Sequence, residues 1–162
     1  MSTLLTQELA FSERDVLFGL QQYDKEAKIQ ISNLIFYPYY FFEYEVNAKS
    51  LLRFKGKVAC TVDALAGRGA LVDVQPEFLQ RQIETKHILP SVEVCEEEAR
   101  KVADMFVFDS ASSKAKFVTI PKIKLLSSTL FYRPFWLVEY GQEKHGKHQL
   151  IVDAISGGYH PL

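Results

Sequence analysis

Hydrophobic and aromatic positions are concentrated in two stretches of the chain, and the two stretches follow the same order. Each passes from a proline through an aromatic run to a Glu-Tyr pair, a Gly-Lys pair and an Asp-Ala-x-x-Gly turn. The matching positions are Pro38 and Pro134, Glu43 and Glu139, Tyr44 and Tyr140, Gly56 and Gly146, Asp63 and Asp153, and Gly67 and Gly157. The first three pairs are 96 residues apart and the last three are 90 apart, so the first hairpin is six residues longer. We interpret this order as an internal duplication.

The beginning of the chain predicts an arm and then a helix. Residues 2–10 have no firm period and are typical of an arm or a short edge strand. Ser12, with Asp15 three residues later, is typical of a capping box at the start of a helix. The apolar face of this helix ends near Tyr23.

Strands follow the first helix. Residues 28–34 alternate between apolar and polar positions and predict a strand, which Pro38 should interrupt because proline has no N–H to donate. Residues 39–46 predict a strong aromatic strand, and residues 58–62 its return strand. The following turn, residues 63–67, offers an aspartate that can accept N–H groups and a glycine that can take a positive φ.

The second half of the chain predicts a similar series of elements. Residues 75–83 predict a short helix with proline in its first turn. A longer helix is predicted to start at Ser91 and to stop before Asp109. Its expected buried stripe is Val92, Cys95, Ala99, Val102 and Phe106. Residues 131–140 and 148–154 predict the second hairpin.

The repeated helix, strands and turn predict the fold class. The α-β-β unit ending in Val-Asp-Ala-x-x-Gly, at 62–67 and again at 152–157, resembles the PepSY family and cystatin-like α+β folds. That resemblance implies a helix packed across a curled antiparallel sheet. We therefore predict an α+β protein of two pseudo-symmetric halves, each a helix on about three strands, packed as one unit. The first repeat would span residues 1–84 and the second residues 85–162.

Composition and charge limit the class of protein. The 162 residues are 48% hydrophobic and 24% charged, and the net charge of −1 argues against a strongly basic nucleic-acid binder. Cys60 and Cys95 predict two reduced, buried thiols, with one disulfide as the alternative. There is no signal-peptide pattern, and the longest apolar run, residues 34–42, is about half a membrane span. We expect a soluble, cytoplasmic protein that does not enter the membrane.

The tip of the first hairpin is locally basic. Its candidate binding residues are Lys49, Arg53, Phe54, Lys55 and Lys57, and no acidic residue lies among them. One aromatic side chain among several cations is typical of a surface that binds phosphate or single-stranded nucleic acid. Lysines also protect exposed strand edges against aggregation, and that alternative stays open.

Histidines and a pair of glutamates raise the question of metal binding or catalysis. His145, His148 and His160 could share a metal, or could be incidental surface residues. Glu43 and Glu139 could form the two-carboxylate site of a small hydrolase-like enzyme, or each could pair with a lysine across its hairpin. No motif supports a metal or a cofactor, so we assign no catalytic residue, metal ligand or cofactor.

The aromatic residues are the main functional clue. Tyr40, Tyr44, Trp136 and Tyr140 are candidate binding residues if part of the aromatic sheet face is exposed, and core residues otherwise. The leading hypothesis is a non-enzymatic binding or assembly module, with a protein partner or self-association through this face or an exposed strand edge. PepSY members are usually exported or membrane-linked, and several act as protease-associated inhibitory or regulatory modules, so the resemblance also implies a non-enzymatic role. The alternatives are the hydrolase-like enzyme and nucleic-acid contact through residues 49–57.

Overall fold

The computed structural model describes residues 2–49, 53–72, 75–114, 120–142 and 146–162. Within them the chain forms two helices, α1 (Glu13–Tyr23) and α2 (Glu96–Lys114). The strands are β1 (Ser2–Gln7), β2 (Lys28–Lys49), β3 (Arg53–Asp63), β4 (Gly69–Val72), β5 (Phe78–Ile83), β6 (Lys122–Gln142), β7 (Gly146–Asp153) and β8 (Tyr159–Pro161).

The predicted fold class is wrong. Strands make up 54% and helices 20% of the structure, and the eight strands form one mixed sheet instead of two three-stranded sheets that each carry a helix. The strand order is β4-β3-β2-β6-β1-β5, with β7 beside β6 and β8 beside β7. Two strands, β2 with 22 residues and β6 with 21, are far longer than the usual five or six. The sequence pattern had divided each of them into separate pieces.

The chain divides into two compact units that are interleaved along the sequence. Unit 1 contains Met1–Tyr37, Glu77–Pro90 and Tyr132–Leu162, and unit 2 contains Pro38–Pro76 and Ser91–Phe131. As a result, α1 shares a unit with the β6–β7 hairpin, and α2 shares a unit with the β2–β3 hairpin. The division into a first repeat, residues 1–84, and a second repeat, residues 85–162, describes an internal duplication of the sequence. It stays a prediction.

Unit 1 contains two apolar clusters. In the first, Val16 of α1 packs with Val138 of β6 and Val152 of β7. The second cluster consists of Leu34, Phe36, Ile83 and Tyr132. The helix therefore covers the hairpin, while the second cluster joins the first part of β2 to β5.

Unit 2 has an apolar cluster between α2 and the β2–β3 hairpin. Its helical side is formed by Ala99, Ala103 and Val107, which are fully buried and spaced by four residues on one face. Its strand side is formed by Tyr40, Phe42, Tyr44, Val46, Cys60 and Val62. The alanines allow the helix to approach the sheet closely, because they fill little space.

The predicted turns and the first helix cap are confirmed. The Oδ1 atoms of Asp63 and Asp153 accept the N–H of the residue two positions later, at 2.7 and 2.8 Å. Gly67 and Gly157 have φ angles of 74° and 77°, in the left-handed region that favours glycine. Ser12 caps α1 through the predicted capping box.

The prolines do not break their strands, contrary to the prediction for Pro38. The ladder between β2 and β3 begins at Tyr39, so the missing N–H of Pro38 falls just outside it. In the same way, the ladder between β6 and β7 begins at Phe135, directly after Pro134. Both hairpins thus pair the residue after the proline with the aspartate of the turn.

The N-terminal segment and residues 75–83 differ from prediction for a shared reason. The predicted short helix is instead strand β5, which pairs antiparallel with β1 from Ser2 opposite Ile83 to Gln7 opposite Phe78. β1 is a strand, one of the two forms expected, but it lies between β5 and β6 and not at an edge. Long-range pairing therefore decides the structure of both segments, which local pattern could not show.

The second helix begins later and ends later than predicted. The N–H groups of Glu93 and Val94 donate to the Ala64 C=O at 3.0 and 2.8 Å, which holds this segment outside the helix. Of the predicted stripe, Ala99 is buried and Val102 packs against the core, but the fully buried face is that of Ala99, Ala103 and Val107. Val92, Cys95 and Phe106 are exposed, and Val102 is partly buried.

The two cysteines have different environments. Cys60 is fully buried, and its burial raises the pKa of the thiol to about 11. Cys95 is exposed, so the prediction of two buried thiols is wrong for this residue. Both are free thiols, which excludes the disulfide alternative in this structure.

Candidate functional site

The two candidate tyrosines of unit 2 belong to its core. Tyr40 is 6% exposed and donates its hydroxyl hydrogen bond to the Val94 C=O at 2.9 Å. Tyr44 is 1% exposed and donates to the Asp104 carboxylate at 2.6 Å. Burial raises the pKa of Tyr44, and the hydrogen bond to Asp104 acts in the same direction. Neither ring is available as a binding surface.

The two candidate aromatics of unit 1 are only partly buried. Trp136 donates its Nε1–H to the Phe11 C=O at 2.9 Å. The Tyr140 hydroxyl and the Gln142 amide both donate to the Asp24 carboxylate. The hydrogen bond from Tyr140 lowers the pKa of Asp24 and raises that of Tyr140. The polar ends of these side chains are occupied, while part of each ring still faces solvent.

The basic residues of the first hairpin are only partly described. Side chains of Lys49, Arg53 and Phe54 lie outside the described part of the chain, although their backbones pair across the end of β2 and β3. Lys55 lies 3.6 Å from Glu45, and Lys57 lies 3.8 Å from Glu43. Both lysine side chains are exposed, so these ion pairs contribute little to stability.

The candidate carboxylates and histidines fall in different places. Glu43 lies in unit 2, whereas Glu139 lines an open cleft of about 480 Å³ in unit 1. His148 on β7 and His160 on β8 are exposed, and His145 lies outside the described residues. Among the residues that are described, no three histidine, cysteine, aspartate or glutamate side chains form a metal-binding group.

A second cleft in unit 1 has a more distinctive chemistry. It has a volume of about 270 Å³. Its walls are the start of β2, the end of β5 with the turn after it, one residue of β6 and the first residue of α1. The charged and aromatic side chains that line it are Glu13, Arg81, Glu84, Lys86, His87 and Trp136. We refer to it as the Arg81 cleft.

Arg81 contributes a partly buried positive charge. It lies on β5, and its guanidinium carbon is 5.5 Å from the centre of the Phe36 ring, within the range of a cation–π contact. In the described part of the chain, no carboxylate lies within 4.0 Å of this guanidinium. The charge of Arg81 helps to lower the pKa of Glu84, but the ion pair of Glu84 is with Lys86. A partly buried charge without an ion pair is costly, because the lost hydration is not fully replaced.

His87 lies beside Arg81 and is held in one orientation. The Glu84 N–H donates to His87 Nδ1 at 3.2 Å, and the imidazole meets the Phe36 ring edge-on, with centroids 5.3 Å apart. Burial lowers the pKa of His87, and the charge of Arg81 lowers it further, while Glu84 opposes both. Since Nδ1 accepts a hydrogen bond, the neutral ring carries its proton on Nε2 and can donate from there.

Two further charges of the cleft, Lys86 and Glu84, pair with each other. Lys86 forms an ion pair with Glu84 at 3.1 Å, and this contact lowers the pKa of Glu84. The Asn33 side chain fixes the same turn, because its amide donates to the Lys86 C=O and its oxygen accepts the Leu34 N–H. With Lys86 paired, the charges without an ion pair in the lining are Arg81, which is partly buried, and Glu13, which is exposed.

Of the predicted binding residues, Trp136 is in this cleft, while Arg81 and His87 were missed. Arg81 fell in a predicted helix, and His87 in the segment that follows it. In β5, every second residue, Leu79, Arg81 and Ile83, is partly or fully buried. This alternation along the sequence is a signal that could have identified Arg81. No sequence signal identifies His87.

Comparison with known proteins finds no matching family model, no matching curated protein and no matching solved structure. Neither helix described in the structure has both the length and the apolar composition needed to cross a membrane.

Proposed function

We propose that this protein is a non-enzymatic binding module that takes a small organic anion, such as a carboxylate, in the Arg81 cleft. The observation that supports the proposal is the guanidinium of Arg81, which is partly buried on the Phe36 ring and has no carboxylate partner among the described residues. A cytoplasmic location, as expected from the sequence, forms part of the proposal. Protein partners and nucleic-acid contact through residues 49–57 stay predictions.

Arginine suits this role for a geometric reason. Its planar guanidinium offers two parallel N–H donors to a carboxylate or phosphate, and contact with an aromatic ring leaves its edge free to do so. An anion bound there would balance the positive charge of Arg81. The Nε2–H of neutral His87 is a further hydrogen-bond donor in the same cleft. The positive charge and the hydrogen-bond donors thus favour a negatively charged ligand.

The size and walls of the cleft indicate a small ligand with an apolar part. Its volume of about 270 Å³ lies just below the roughly 300–1,000 Å³ typical of drug-sized ligand sites. The Trp136 ring lines the cleft, so an apolar group attached to the anion has a surface to cover. Short-chain carboxylates fit both requirements better than inorganic ions do.

Calorimetric titration tests the proposal directly. We expect saturable binding of butyrate to the parent protein and weaker binding of acetate, which covers less of Trp136. Replacement Arg81→Gln removes the charge and one hydrogen-bonding fork, so butyrate affinity should fall roughly 10–100-fold, as expected for hydrogen bonds to a charged group. Arg68→Gln changes an exposed arginine of unit 2 and is the matched control.

The outcomes separate clearly. Equal butyrate affinity in the parent and in Arg81→Gln would contradict the proposal, as would an equal loss in Arg68→Gln. Glu13→Gln gives a test of sign. Glu13 is exposed at the rim of the cleft, so removal of its negative charge should strengthen butyrate binding slightly. Weaker binding in Glu13→Gln would contradict an anionic ligand.

A further inference from the structure

Unit 1 has another cleft, which runs along α1 from the residues of its cap to Tyr23, and its walls are mainly apolar. It has a volume of about 260 Å³ and is lined by Phe11, Gly19, Leu20, Tyr23, Gly157 and Tyr159, with Asp15 at its edge. Tyr23 and Tyr159 are 79% and 51% exposed, and their ring centroids are 6.5 Å apart at an angle of 56°. We refer to it as the Tyr23–Tyr159 cleft.

The strand register shows which part of unit 2 corresponds to the Tyr23–Tyr159 cleft. Tyr159 pairs with Val152 across β7 and β8, just as Gly69 pairs with Val62 across β3 and β4. In both units the residue two positions before the helix lies against the turn glycine. A Cβ built on Gly157 would lie 3.0 Å from the Phe11 ring, and one on Gly67 would lie 3.6 Å from Val94.

An aromatic ring fills this place in unit 2. If Phe11 of unit 1 is aligned with Val94 of unit 2, Gly19 and Tyr23 of α1 correspond to Val102 and Phe106 of α2. A Cβ on Gly69 would lie 2.7 Å from the Phe106 ring and 3.2 Å from Val102. The ring of Phe106 and the side chain of Val102 therefore lie directly against the strand backbone at Gly69.

Unit 1 is open at this place because two residues differ. Gly19 stands where α2 has a valine, and no atom lies within 4 Å of a Cβ built on it. Tyr159 stands where unit 2 has Gly69, so a second ring, 6.5 Å from that of Tyr23, lies where unit 2 has no side chain. Glycine is the poorest helix former after proline, and packing does not require it at this position.

We propose that the Tyr23–Tyr159 cleft binds one uncharged aromatic ring of a small molecule. Unit 2 shows which chemistry completes this packing, since the ring of Phe106 occupies the corresponding place. Two splayed tyrosines offer edge-to-face and offset contacts to such a ring. The Asp15 carboxylate also lines the cleft, and its hydrogen bonds from Ser12 lower its pKa and keep it charged, which disfavours an anionic ligand and favours an uncharged ring.

Ligand-detected NMR with p-cresol as the probe tests the proposal. We expect saturable binding of p-cresol and at least tenfold weaker binding of cyclohexanol, which has similar size but no aromatic ring. Replacement Gly19→Val, which introduces the side chain found in α2, should reduce p-cresol affinity at least tenfold by filling the cleft. Gly141→Ala is the control, because a Cβ there makes only ordinary contacts at 3.8 Å.

A second variant keeps the test decisive if Gly19→Val does not fold. Tyr159→Ala removes one of the two rings at a position that is half exposed, and it should also weaken p-cresol binding at least tenfold. Unchanged p-cresol affinity in the folded variants, or equal affinity for cyclohexanol, would overturn the proposal. Preference for N-acetyl-phenylalanine amide over p-cresol would also overturn it, since the occupant would then be a peptide side chain.

Discussion

The two units of this protein place a helix on a β-hairpin in the same way, yet one is filled and the other is open. In unit 2 the Tyr44 hydroxyl is buried on Asp104, and the Phe106 ring lies against Gly69. At the corresponding places of unit 1, Tyr140 is only partly buried, and Tyr23 is 79% exposed beside a cleft. A few substitutions between small and large residues therefore decide whether the same arrangement of helix and hairpin is closely packed or leaves a cleft.

The helices show the same contrast. α2 has three fully buried residues of small or medium size, Ala99, Ala103 and Val107, whereas α1 has Val16 as its buried residue. A helix that is closely seated on its sheet leaves little space for a ligand, because protein interiors are close-packed. We therefore regard unit 2 as the more stable scaffold and unit 1 as the carrier of both proposed sites.

Substitution of the turn glycines should give the largest difference in the free energy of unfolding between the two units. Gly157→Ala should lower the free energy of unfolding by about 2–4 kcal/mol, because left-handed backbone disfavours a side chain and the new Cβ also crowds the Phe11 ring at 3.0 Å. Gly67→Ala should cost about 1–2 kcal/mol, since Val94 is farther away at 3.6 Å. Urea denaturation measures both free energies, and a larger loss in Gly67→Ala than in Gly157→Ala would contradict the closer packing at Gly157.

The tyrosine hydroxyls come next. Tyr44→Phe should lower the free energy of unfolding by about 1–3 kcal/mol, because it removes a buried donor from the Asp104 carboxylate. Tyr140→Phe should cost less, since the Asp24 carboxylate keeps the Gln142 amide as a donor and is accessible to water. Equal losses in the two variants, measured by urea denaturation, would contradict the contrast between a filled and an open unit.

Gly19→Ala should act in the opposite direction. Alanine is about 1 kcal/mol more favourable than glycine within a helix, and the new methyl group meets no neighbour within 4 Å. Thermal unfolding should therefore move to a higher temperature. A lower unfolding temperature would show that the space beside Gly19 is needed for packing, and it would remove the reason to regard it as a ligand site.

The smallest expected effect is a pH dependence from His87. Burial lowers its pKa below the ordinary value of 6.5, so the unfolded chain takes up a proton first as the pH falls. The free energy of unfolding should therefore decrease as the pH falls below 6.5, down to the point at which the folded protein is protonated as well. His87→Gln should reduce this slope, while His160→Gln, at an exposed position on β8, should keep it. Identical slopes in the parent and His87→Gln would contradict the environment described for His87.

Local signals in the sequence predicted part of the fold. The capping box at Ser12 and the turns at Asp63 and Asp153 depend on neighbouring residues, and all three formed as predicted. The hairpin strands were found because residues 39–46 and 58–62 are rich in aromatic and β-branched side chains. These features are determined by interactions among residues that are close together in the sequence.

Features that depend on distant contacts could not be predicted. Phe78–Ile83 forms a strand because it pairs with β1, more than 70 residues earlier in the chain. The start of α2 depends on hydrogen bonds from Glu93 and Val94 to Ala64. The Arg81 cleft likewise depends on β5 lying beside β2, so of its residues the sequence pointed to Trp136 and not to Arg81 or His87.

The most direct test of the proposed function uses Trp136, the single tryptophan of the chain. Because this ring lines the Arg81 cleft, its fluorescence reports on a ligand at that place. We predict a saturable change in emission when butyrate is added to the parent protein, and a much weaker response in Arg81→Gln. The absence of a saturable change in the parent, or the same titration curve in both proteins, would contradict the assignment of this cleft as an anion site.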